Sequence, residues 1–461
     1  MTTSTSKLKM LATNEEDECR NPLMKHIKVA LALVVILAFL TSFSAIYGQK
    51  PAASVTVIRA GRLFDSERGV FLPARDIVVK GNIIESVSEN LPIPSGARVI
   101  DLRRFTVMPG LIDAHVHLLY LENPSGGLTA EGVKAITMEG TPLRALRGAA
   151  RARTFLLAGI TTVRDLGNSG RFGDVALRIA INEGSLDGPR MYVSGPGLSP
   201  EGGQFPGLQF NYRGIAEEEY RVVRGVQDAR MAVRENVTYG ANVIKIYSSA
   251  SPNPGFLSIE EMRAIVEEAH LLGIKVTAHA TSDIAISRAV EARVDSIEHG
   301  YRAEDATLVL MKERGVALVP TYLDSVNLKR LYAIARPNRL PTQEELSATL
   351  KQRYERIQRA MKSGVTIVAG SDNYIDLRVP QGEAAKRVLF TYHDAGMEAA
   401  QILQSATINA ARLFGEPRLG VIKAGAFADI IAVDGDLVKD FNAMERVKFV
   451  MKDGRIYLGQ P

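Results

Sequence analysis

The chain has 461 residues, of which 46% are hydrophobic and 23% are charged, and this composition excludes a disordered polymer and a minimal peptide scaffold. The single cysteine excludes an internal disulfide and a cysteine-based zinc site, so any metal must be bound through nitrogen and oxygen. The net charge of +5 comes from 56 basic and 51 acidic residues without a dense basic tract, and no nucleic-acid partner is expected.

Residues 1–48 are interpreted as a targeting segment. Lys25 and Lys28 precede the apolar run 29–40, and small and polar residues follow this run up to Gly48. An order of basic, apolar and then small residues is typical of an export signal. We therefore expect an exported protein with a periplasmic or extracellular location.

The fate of this segment is left open by its sequence. Cleavage after Ser44 or Gly48 would release the mature chain, and without cleavage residues 29–47 are long enough to remain as a membrane anchor. No other membrane contact is expected. The long, mixed-charge stretch before Met24 suggests that translation starts at Met24.

Both ends of the remaining chain have the character of β-strands. Residues 53–108 and 415–461 contain short β-branched runs that are separated by turns, such as the pairs Gly81-Asn82 and Asp453-Gly454. Two-residue connections of this kind are typical of β-hairpins. We expect the two segments to pair into one small composite β-sandwich.

Residues 109–414 alternate helical stretches with short buried strands. Five helical stretches end in a glycine that precedes a β-branched run, at Gly159, Gly240, Gly273, Gly315 and Gly364. Glycine tolerates the left-handed conformation that ends a helix, and continuously apolar strands are typical of parallel sheets. With three further strand candidates the total is eight, which predicts an α/β fold with a (β/α)8 TIM barrel.

Two stretches of this region, 195–214 and 322–341, lack a regular pattern and are rich in glycine or proline. They are predicted as long loops on the active-site face of the barrel.

Several predicted strands end in metal-binding residue types. His115 and His117 stand two apart, so strand alternation points both imidazoles to the same side. His279, His299 and Asp372 each end another predicted strand, and barrel chemistry lies at the carboxyl ends of strands. Packing alone could explain one His-x-His pair, but the convergence of all five groups predicts a metal centre.

Lys245 is placed by strand alternation on the inward face of the barrel, together with Tyr247. An inward lysine is costly unless its charge is removed or paired, and the alternative is an ammonium group that reaches solvent. A desolvated lysine is nucleophilic. Its reaction with CO₂ would give a carbamate whose two oxygens can bridge two metal ions.

These motifs resemble those of the amidohydrolase superfamily, in the branch whose binuclear metal centre is bridged by a carboxylated lysine. Within it the chain is similar to imidazolonepropionase-like prolidases and ochratoxinase-type amidohydrolases. The resemblance covers about residues 53–458, and its motifs are residues 109–117, Lys245, His279, Glu298-His299-Gly300, 370–372 and 425–429.

The resemblance implies a complete set of ligands for two divalent metal ions. The more buried ion would be held by His115, His117 and Asp372. The more exposed ion would be held by His279 and His299. Carboxylated Lys245 would bridge both ions, and zinc is the first expectation for imidazole and carboxylate ligands.

The expected reaction is hydrolysis of an amide C–N bond, with a dipeptide or an N-acyl amino acid as the small-molecule substrate that the resemblance implies. A hydroxide bridging the two metals would attack the carbonyl carbon, and Asp372 would act as general base and then general acid. Tyr247 is a candidate hydrogen-bond donor to the developing oxyanion, with a core tyrosine as the alternative reading.

Substrate-binding residues are less sharply indicated. Many relatives have Gly-Gly-His where residues 202–204 read Gly-Gly-Gln, and Gln204 can donate a hydrogen bond but cannot be charged. Arg164, Arg302 and Arg378 follow or flank predicted strand ends, where they could pair with a substrate carboxylate. A solvated surface arginine is the alternative for each.

Two other classes of function remain as alternatives. A deaminase, lactonase or cyclic-amide hydrolase could use the same barrel, but Lys245 weakens any version with one metal, which needs no bridging carbamate. A non-enzymatic binding protein would not require Asp372 beside two metals. By family resemblance the chain is also expected to form a homo-oligomer.

Overall fold

The computed structural model describes residue 26 and residues 55–126, 128–250 and 253–459, apart from the side chains of residues 128 and 129. The strands that begin and end this region are Val55–Asp65 (β1), Val70–Leu72 (β2), Arg75–Lys80 (β3), Ile83–Ser88 (β4), Arg98–Pro109 (β5), Ile430–Val433 (β15), Val447–Lys452 (β16) and Arg455–Leu458 (β17). The strands between them are Leu111–Val116 (β6), Ile160–Asp165 (β7), Arg190–Val193 (β8), Gly197–Ser199 (β9), Tyr220–Val222 (β10), Ile244–Tyr247 (β11), Val276–Ala280 (β12), Ser296–His299 (β13) and Ala317–Val319 (β14).

The α-helices lie between the strands of the central region. They are Leu128–Lys134 (α1), Gly140–Leu157 (α2), Gly173–Asn182 (α3), Gly214–Glu217 (α4), Val226–Thr238 (α5), Ile259–Leu271 (α6), Asp283–Glu291 (α7), Asp305–Arg314 (α8), Ser325–Ala335 (α9), Gln343–Ser363 (α10), Gln381–Lys386 (α11), Val388–Asp394 (α12), Ala399–Ser405 (α13) and Ile408–Phe414 (α14). A π-helical turn, Ala135–Glu139, joins α1 to α2, and 3₁₀ turns occupy Phe210–Tyr212 and Phe441–Glu445.

The two ends of the described region share one eight-stranded sheet in the order β17-β16-β15-β5-β1-β3-β4, with β2 paired to β1. In this sheet the C-terminal strand β15 runs antiparallel to β5, with Ile430 opposite Pro109. The sheet also curls, so that the turn between β3 and β4 meets the segment before β15. There the amide of Ala428 donates to the carbonyl of Asn82 over 2.8 Å. Hydrogen bonds thus connect all eight strands, from both ends of the described region, into one continuous curled sheet.

The curled sheet has a core of its own. Alternate residues of its strands, such as Ile58 and Ala60 in β1 and Phe449 and Met451 in β16, pack into one buried apolar cluster. Because side chains alternate across a strand, the period of two in the sequence places this apolar set on the inside of the curl.

The central strands form two parallel sheets, one in the order β6-β7-β8 and one in the order β10-β9-β11-β12-β13-β14. Backbone hydrogen bonds also link the sheets to each other. The amide of Asn242 donates to Val193 over 3.0 Å on one side. On the other side segment 366–369 bridges β14 and β6, since Val368 donates to Leu318 and Ala114 donates to Ala369, each over 2.9 Å. The α/β class is confirmed.

The glycines that were predicted to end helices adopt the required conformation. All five have positive φ, at Gly159, Gly240, Gly273, Gly315 and Gly364. Each directly precedes the return of the chain into or toward a strand. A residue with a Cβ is disfavoured at positive φ, which explains the recurrence of glycine at these five helix ends.

The two stretches predicted as loops contain regular structure. Within 195–214 the strand β9 pairs with β10 and β11. Within 322–341 the helix α9 begins after Asp324, whose side chain accepts hydrogen bonds from the amides of Val326 and Asn327. The prediction of a loop over 322–341 was therefore wrong, and the N-capping aspartate is the signal that could have corrected it.

Among the described residues, no helix is both long and apolar enough to span a membrane. The predicted signal or anchor, residues 1–48, lies outside the described region except for His26.

The contact between the C-terminal hairpin and the N-terminal hairpin generates a stability prediction. A Cβ at Gly454 would collide with the carbonyl oxygen of Gly81, whereas a Cβ at Gly425 would meet no atom within 4 Å. Both glycines have positive φ, 73° and 85°. In denaturant unfolding, Gly425→Ala should cost about 1–2 kcal/mol from backbone strain alone, and Gly454→Ala should cost a further ~1–3 kcal/mol from the collision. If both variants lost the same free energy of unfolding, the close contact between Gly454 and Gly81 would be contradicted.

Candidate metal centre

The predicted ligands come together around one cavity of about 210 Å³. It is bordered by all six proposed metal-binding side chains together with Tyr247 and Gln204. Residues that are far apart in sequence therefore converge on one site, as the strand-end argument predicted. The six are His115, His117, Lys245, His279, His299 and Asp372.

The strand register explains this convergence. In the parallel sheet Tyr247 lies opposite His279, and Ala280 lies opposite His299. Lys245, His279 and His299 therefore stand at or near the carboxyl ends of adjacent strands, at the same edge of the sheet. Asp372 follows segment 366–369, and its amide donates to the carbonyl of His115 over 2.7 Å.

His115, His117 and Asp372 form a compact donor set. The Nε2 atoms of the two histidines are 3.2 Å apart, and Asp372 Oδ1 lies 3.4 Å from the first and 3.2 Å from the second. These three side chains satisfy the distances expected of a metal-binding group.

Hydrogen bonds at the far side of each ring define the chemistry of this set. His117 Nδ1 donates to the carbonyl of Gly167 over 2.8 Å, and His115 Nδ1 lies 2.7 Å from the carboxylate of Glu298. Burial keeps the pKa of His115 well below its usual range. Burial also acts to lower the pKa of His117, but the hydrogen bond and charge of Asp372 outweigh it and raise that pKa. A neutral ring with its proton on Nδ1 presents a lone pair at Nε2. Two lone pairs and a carboxylate oxygen facing one point fit a cation, and such second partners are typical of metal-bound histidines.

His279 and His299 form the other side of the centre. Their rings meet edge to face with centroids 4.6 Å apart, and the His299 ring lies 5.1 Å from that of His115. His299 Nδ1 lies 2.7 Å from Thr321 Oγ1. Burial lowers the pKa of His279 to about 3, assisted by the charge of Lys245, and burial also lowers the pKa of His299. Both rings are neutral and able to bind a metal.

Lys245 lies between the two halves of the centre and is 1% exposed. Its Nζ is 3.5 Å from His115 Nε2 and 5.4 Å from the centroid of the Tyr247 ring. Burial lowers the pKa of the amine to about 8, although the carboxylates of Glu298 and Asp372 oppose this shift. The ammonium does not reach solvent, which removes the alternative reading of this lysine.

Two of the site residues have unusual backbone conformations. His299 and Asp372 have positive φ, 71° and 50°. A residue with a Cβ pays roughly 1–2 kcal/mol for this region, and such strain persists where the surrounding structure dictates it, often at functional sites.

Glu298 is a functional residue whose role the sequence analysis missed. It is 0% exposed, and its Oε1 accepts hydrogen bonds from Arg164 Nη2 over 2.7 Å, from Ser296 and from Thr277. Its Oε2 faces His115. A charged residue inside a buried strand requires partners, so the position of Glu298 within a buried strand was the sequence feature that could have indicated its role.

Asp113 is a second residue without a predicted role. Its Oδ1 accepts hydrogen bonds from the amides of His115 over 3.1 Å and Ser371 over 2.9 Å. It thereby ties the strand that carries His115 to the segment that carries Asp372. Burial raises the pKa of this carboxyl to about 7.

Tyr247 and Gln204 both border the cavity. The Tyr247 hydroxyl donates to Asn168 Oδ1 over 3.4 Å, and burial raises its pKa, so the phenol stays protonated. Gln204 Nε2 lies 3.2 Å from His279 Nε2. Gln204 therefore lies beside His279, one of the two histidines expected to bind the second metal ion.

The three arginines proposed for a substrate carboxylate are located away from the cavity lining. Arg164 is buried, and its guanidinium donates to Ala114 and Glu298, each over 2.7 Å. Arg378 is paired with Asp376 over 2.8 Å. Arg302 is exposed and does not border the cavity. Arg164 is thus a partner of Glu298.

Comparison with known proteins now identifies the family. The sequence pattern of the amidohydrolase family matches residues 106–457, so the chain belongs to the amidohydrolase family. It is therefore a hydrolase that acts on carbon–nitrogen bonds.

Three relatives illustrate the similarity. The ochratoxinase of Aspergillus niger is 29% identical over 442 residues, which cover 88% of this chain and 87% of that protein. A prolidase solved in complex with N-methylphosphonate-L-proline is 31% identical with a TM-score of 0.76, over 88% of this chain and 100% of the other. A Xaa-Pro dipeptidase with bound methionine is 30% identical with a TM-score of 0.75 over the same shares.

The contacts of Glu298 generate a prediction for metal binding. Glu298→Gln leaves the buried Arg164 without a charged partner and weakens the orientation of His115. We expect a loss of roughly 3–5 kcal/mol in the free energy of unfolding and metal affinity lower by about 10- to 100-fold. Calorimetry and metal titration measure the two effects.

The matched control is Glu291→Gln at the exposed end of α7, where a change within about 0.5 kcal/mol is expected. Wild-type metal affinity in Glu298→Gln would show that this carboxylate does not support the site.

Proposed function

We propose that the protein is a metal-dependent hydrolase that cleaves the amide bond of a dipeptide or an N-acyl amino acid. The observation that carries the proposal is the convergence of the Nε2 atoms of His115 and His117 on the Asp372 carboxylate beside a buried lysine. The prolidase, dipeptidase and ochratoxinase relatives support the choice of an amide substrate.

We propose that the centre holds two divalent ions, with zinc as the first choice for imidazole and carboxylate ligands. His115, His117 and Asp372 would hold one ion. His279 and His299 would hold the other. A carbamate on Lys245 would join them, and the buried amine with its lowered pKa supports this modification.

The proposed scaffold is a closed (β/α)8 barrel. Two parallel sheets contribute seven of its strands, β6 to β8 and β11 to β14. Segment 366–369 supplies the eighth, since its hydrogen bonds reach both Leu318 and Ala114. In such barrels the active site lies at the carboxyl ends of the strands, where these side chains are.

Divalent ions in such a centre activate water and polarise the substrate carbonyl when bound. The protein's own groups handle the protons. Asp372, with its second oxygen 3.7 Å from His299 Nδ1, would accept the proton of the attacking water and deliver it to the leaving nitrogen. The neutral phenol of Tyr247 would donate a hydrogen bond to the carbonyl oxygen as negative charge develops.

Metal analysis of a lysine variant tests the binuclear proposal. Wild-type protein should contain two metal equivalents per chain, and Lys245→Ala should retain at most one and lose activity. Lys275→Ala, which removes a half-exposed lysine paired with Asp295, is the matched control and should keep both equivalents.

One tightly bound equivalent in both wild type and Lys245→Ala would refute the bridging role. A panel of N-acyl amino acids and dipeptides, with lactones and phosphotriesters beside them, tests the reaction on the metal-loaded wild type. Turnover confined to lactones or phosphotriesters would refute amide hydrolysis.

We also propose that the protein is exported by residues 1–48, because the order of basic, apolar and small residues matches a signal. Mass spectrometry of protein recovered from the cell envelope and medium should show a chain that begins at Ala45 or Gln49. A chain that retains residues 29–47 would instead establish a membrane anchor, and recovery from the cytoplasm alone would refute export.

A further inference from the structure

Thr321 contacts the proposed metal ligand His299 from the neighbouring strand. It lies just after the end of β14, and its Oγ1 is 2.7 Å from His299 Nδ1. Strands β11, β12 and β13 each carry a proposed ligand at or near the carboxyl end, whereas all three residues of β14 are apolar. Thr321 does not border the cavity, so it acts on the site through His299.

The Thr321 hydroxyl is the middle member of a short hydrogen-bonded chain. On its other side the Tyr301 hydroxyl oxygen lies 3.0 Å from Thr321 Oγ1. His299 and Thr321 are each 6% exposed, and the Tyr301 ring stacks on Tyr322 with centroids 5.2 Å apart. The chain is therefore shielded from bulk water, where hydrogen bonds strengthen and a lost partner is not replaced.

The surroundings of His299 Nδ1 favour a proton on this nitrogen. Asp372 Oδ2 lies 3.7 Å from it, and an ionised carboxylate can only accept, whereas a hydroxyl can accept one hydrogen bond and donate another. His299 Nδ1–H then donates to Thr321, and Thr321 donates to Tyr301. In the reverse order Thr321 would donate to Nδ1, and the ring proton would lie on Nε2 and block that nitrogen.

Helix α12 holds the backbone on both sides of Thr321. The Tyr392 hydroxyl donates to the carbonyl of Pro320 over 2.8 Å, and Thr391 Oγ1 donates to the carbonyl of Tyr322 over 3.2 Å. Both donors are 0% exposed. The Thr321 hydroxyl therefore has a fixed position beside His299, which is the condition for orienting a ligand precisely.

We propose that Thr321 is a positioning residue for the second metal ion: it accepts a hydrogen bond from His299 Nδ1–H and so leaves Nε2 of that ring free to bind the ion. This inference rests on the proposed two-ion centre and assigns a residue to one half of it. Glu298 contacts His115 in the other half. Thr321 therefore controls the affinity for the second ion and not for the first.

Stepwise Zn²⁺ affinities, measured by competition with a chelator, test the proposal in wild type and three variants. Thr321→Val keeps the shape of the side chain and removes the hydroxyl, whereas Thr321→Ser keeps the hydroxyl. Thr366→Val is the matched control, because Thr366 is exposed at the start of segment 366–369.

Thr321→Val should lower the affinity for the second ion about 10- to 100-fold, as expected when a metal-bound histidine loses its hydrogen-bond partner. Its affinity for the first ion should stay at the wild-type value, which also shows that the variant is folded. Thr321→Ser should restore the second affinity, and Thr366→Val should bind both ions like wild type.

Nuclear magnetic resonance of zinc-loaded wild type with ¹⁵N-labelled histidine tests the direction of the chain without any substitution. The proton of the His299 ring should be on Nδ1, and its signal should shift in Thr321→Val but not in Thr366→Val.

Four results would overturn the positioning role while leaving two ions in the wild type. They are an unchanged second affinity in Thr321→Val, an equal loss of both ions, a loss that serine does not restore, and a His299 proton on Nε2. A wild type that binds a single ion would instead refute the two-ion centre of the proposed function, and this inference with it.

Discussion

The buried carboxylate of Glu298 is the interaction on which the rest of the structure depends. Its hydrogen-bond partners lie on both parallel sheets: His115 and Arg164 on β6 and β7, and Thr277 and Ser296 on β12 and β13. A buried charge costs several kcal/mol unless partners compensate it. The compensation here requires the two sheets to face each other, so one ionic group links their arrangement to the orientation of a metal ligand.

Because of this linkage, the same residues contribute both to the stability of the packed sheets and to the chemistry of the site. Arg164 neutralises Glu298, and Glu298 determines which nitrogen of His115 is free for a metal. Asp113 has a similar structural role, because one oxygen of its carboxylate accepts hydrogen bonds from the amides of both His115 and Ser371.

Much of this arrangement was predictable from local sequence. The five helix-ending glycines with positive φ, the Gly81-Asn82 hairpin between β3 and β4 and the inward direction of Lys245 follow from rules that involve a few neighbouring residues. Helix α9 was missed because its capping aspartate was overlooked in a proline-bounded stretch. Arg164 was a candidate partner for a substrate carboxylate, with a solvated arginine as the alternative, and both differ from its observed pairing with Glu298, 134 positions away in the sequence.

The sequence by itself determined the residue types at the ends of the strands, and hence a nitrogen and oxygen metal centre. It determined this because strand alternation is a local property with a period of two. Only the tertiary structure decided which charges neutralise each other and which buried polar groups remain unpaired. Glu298 pairs with Arg164, Glu219 pairs with Arg144, and the Tyr120 hydroxyl has no partner in the described protein. Pairing depends on distances between residues far apart in the chain, and those distances exist only once the sheets have packed.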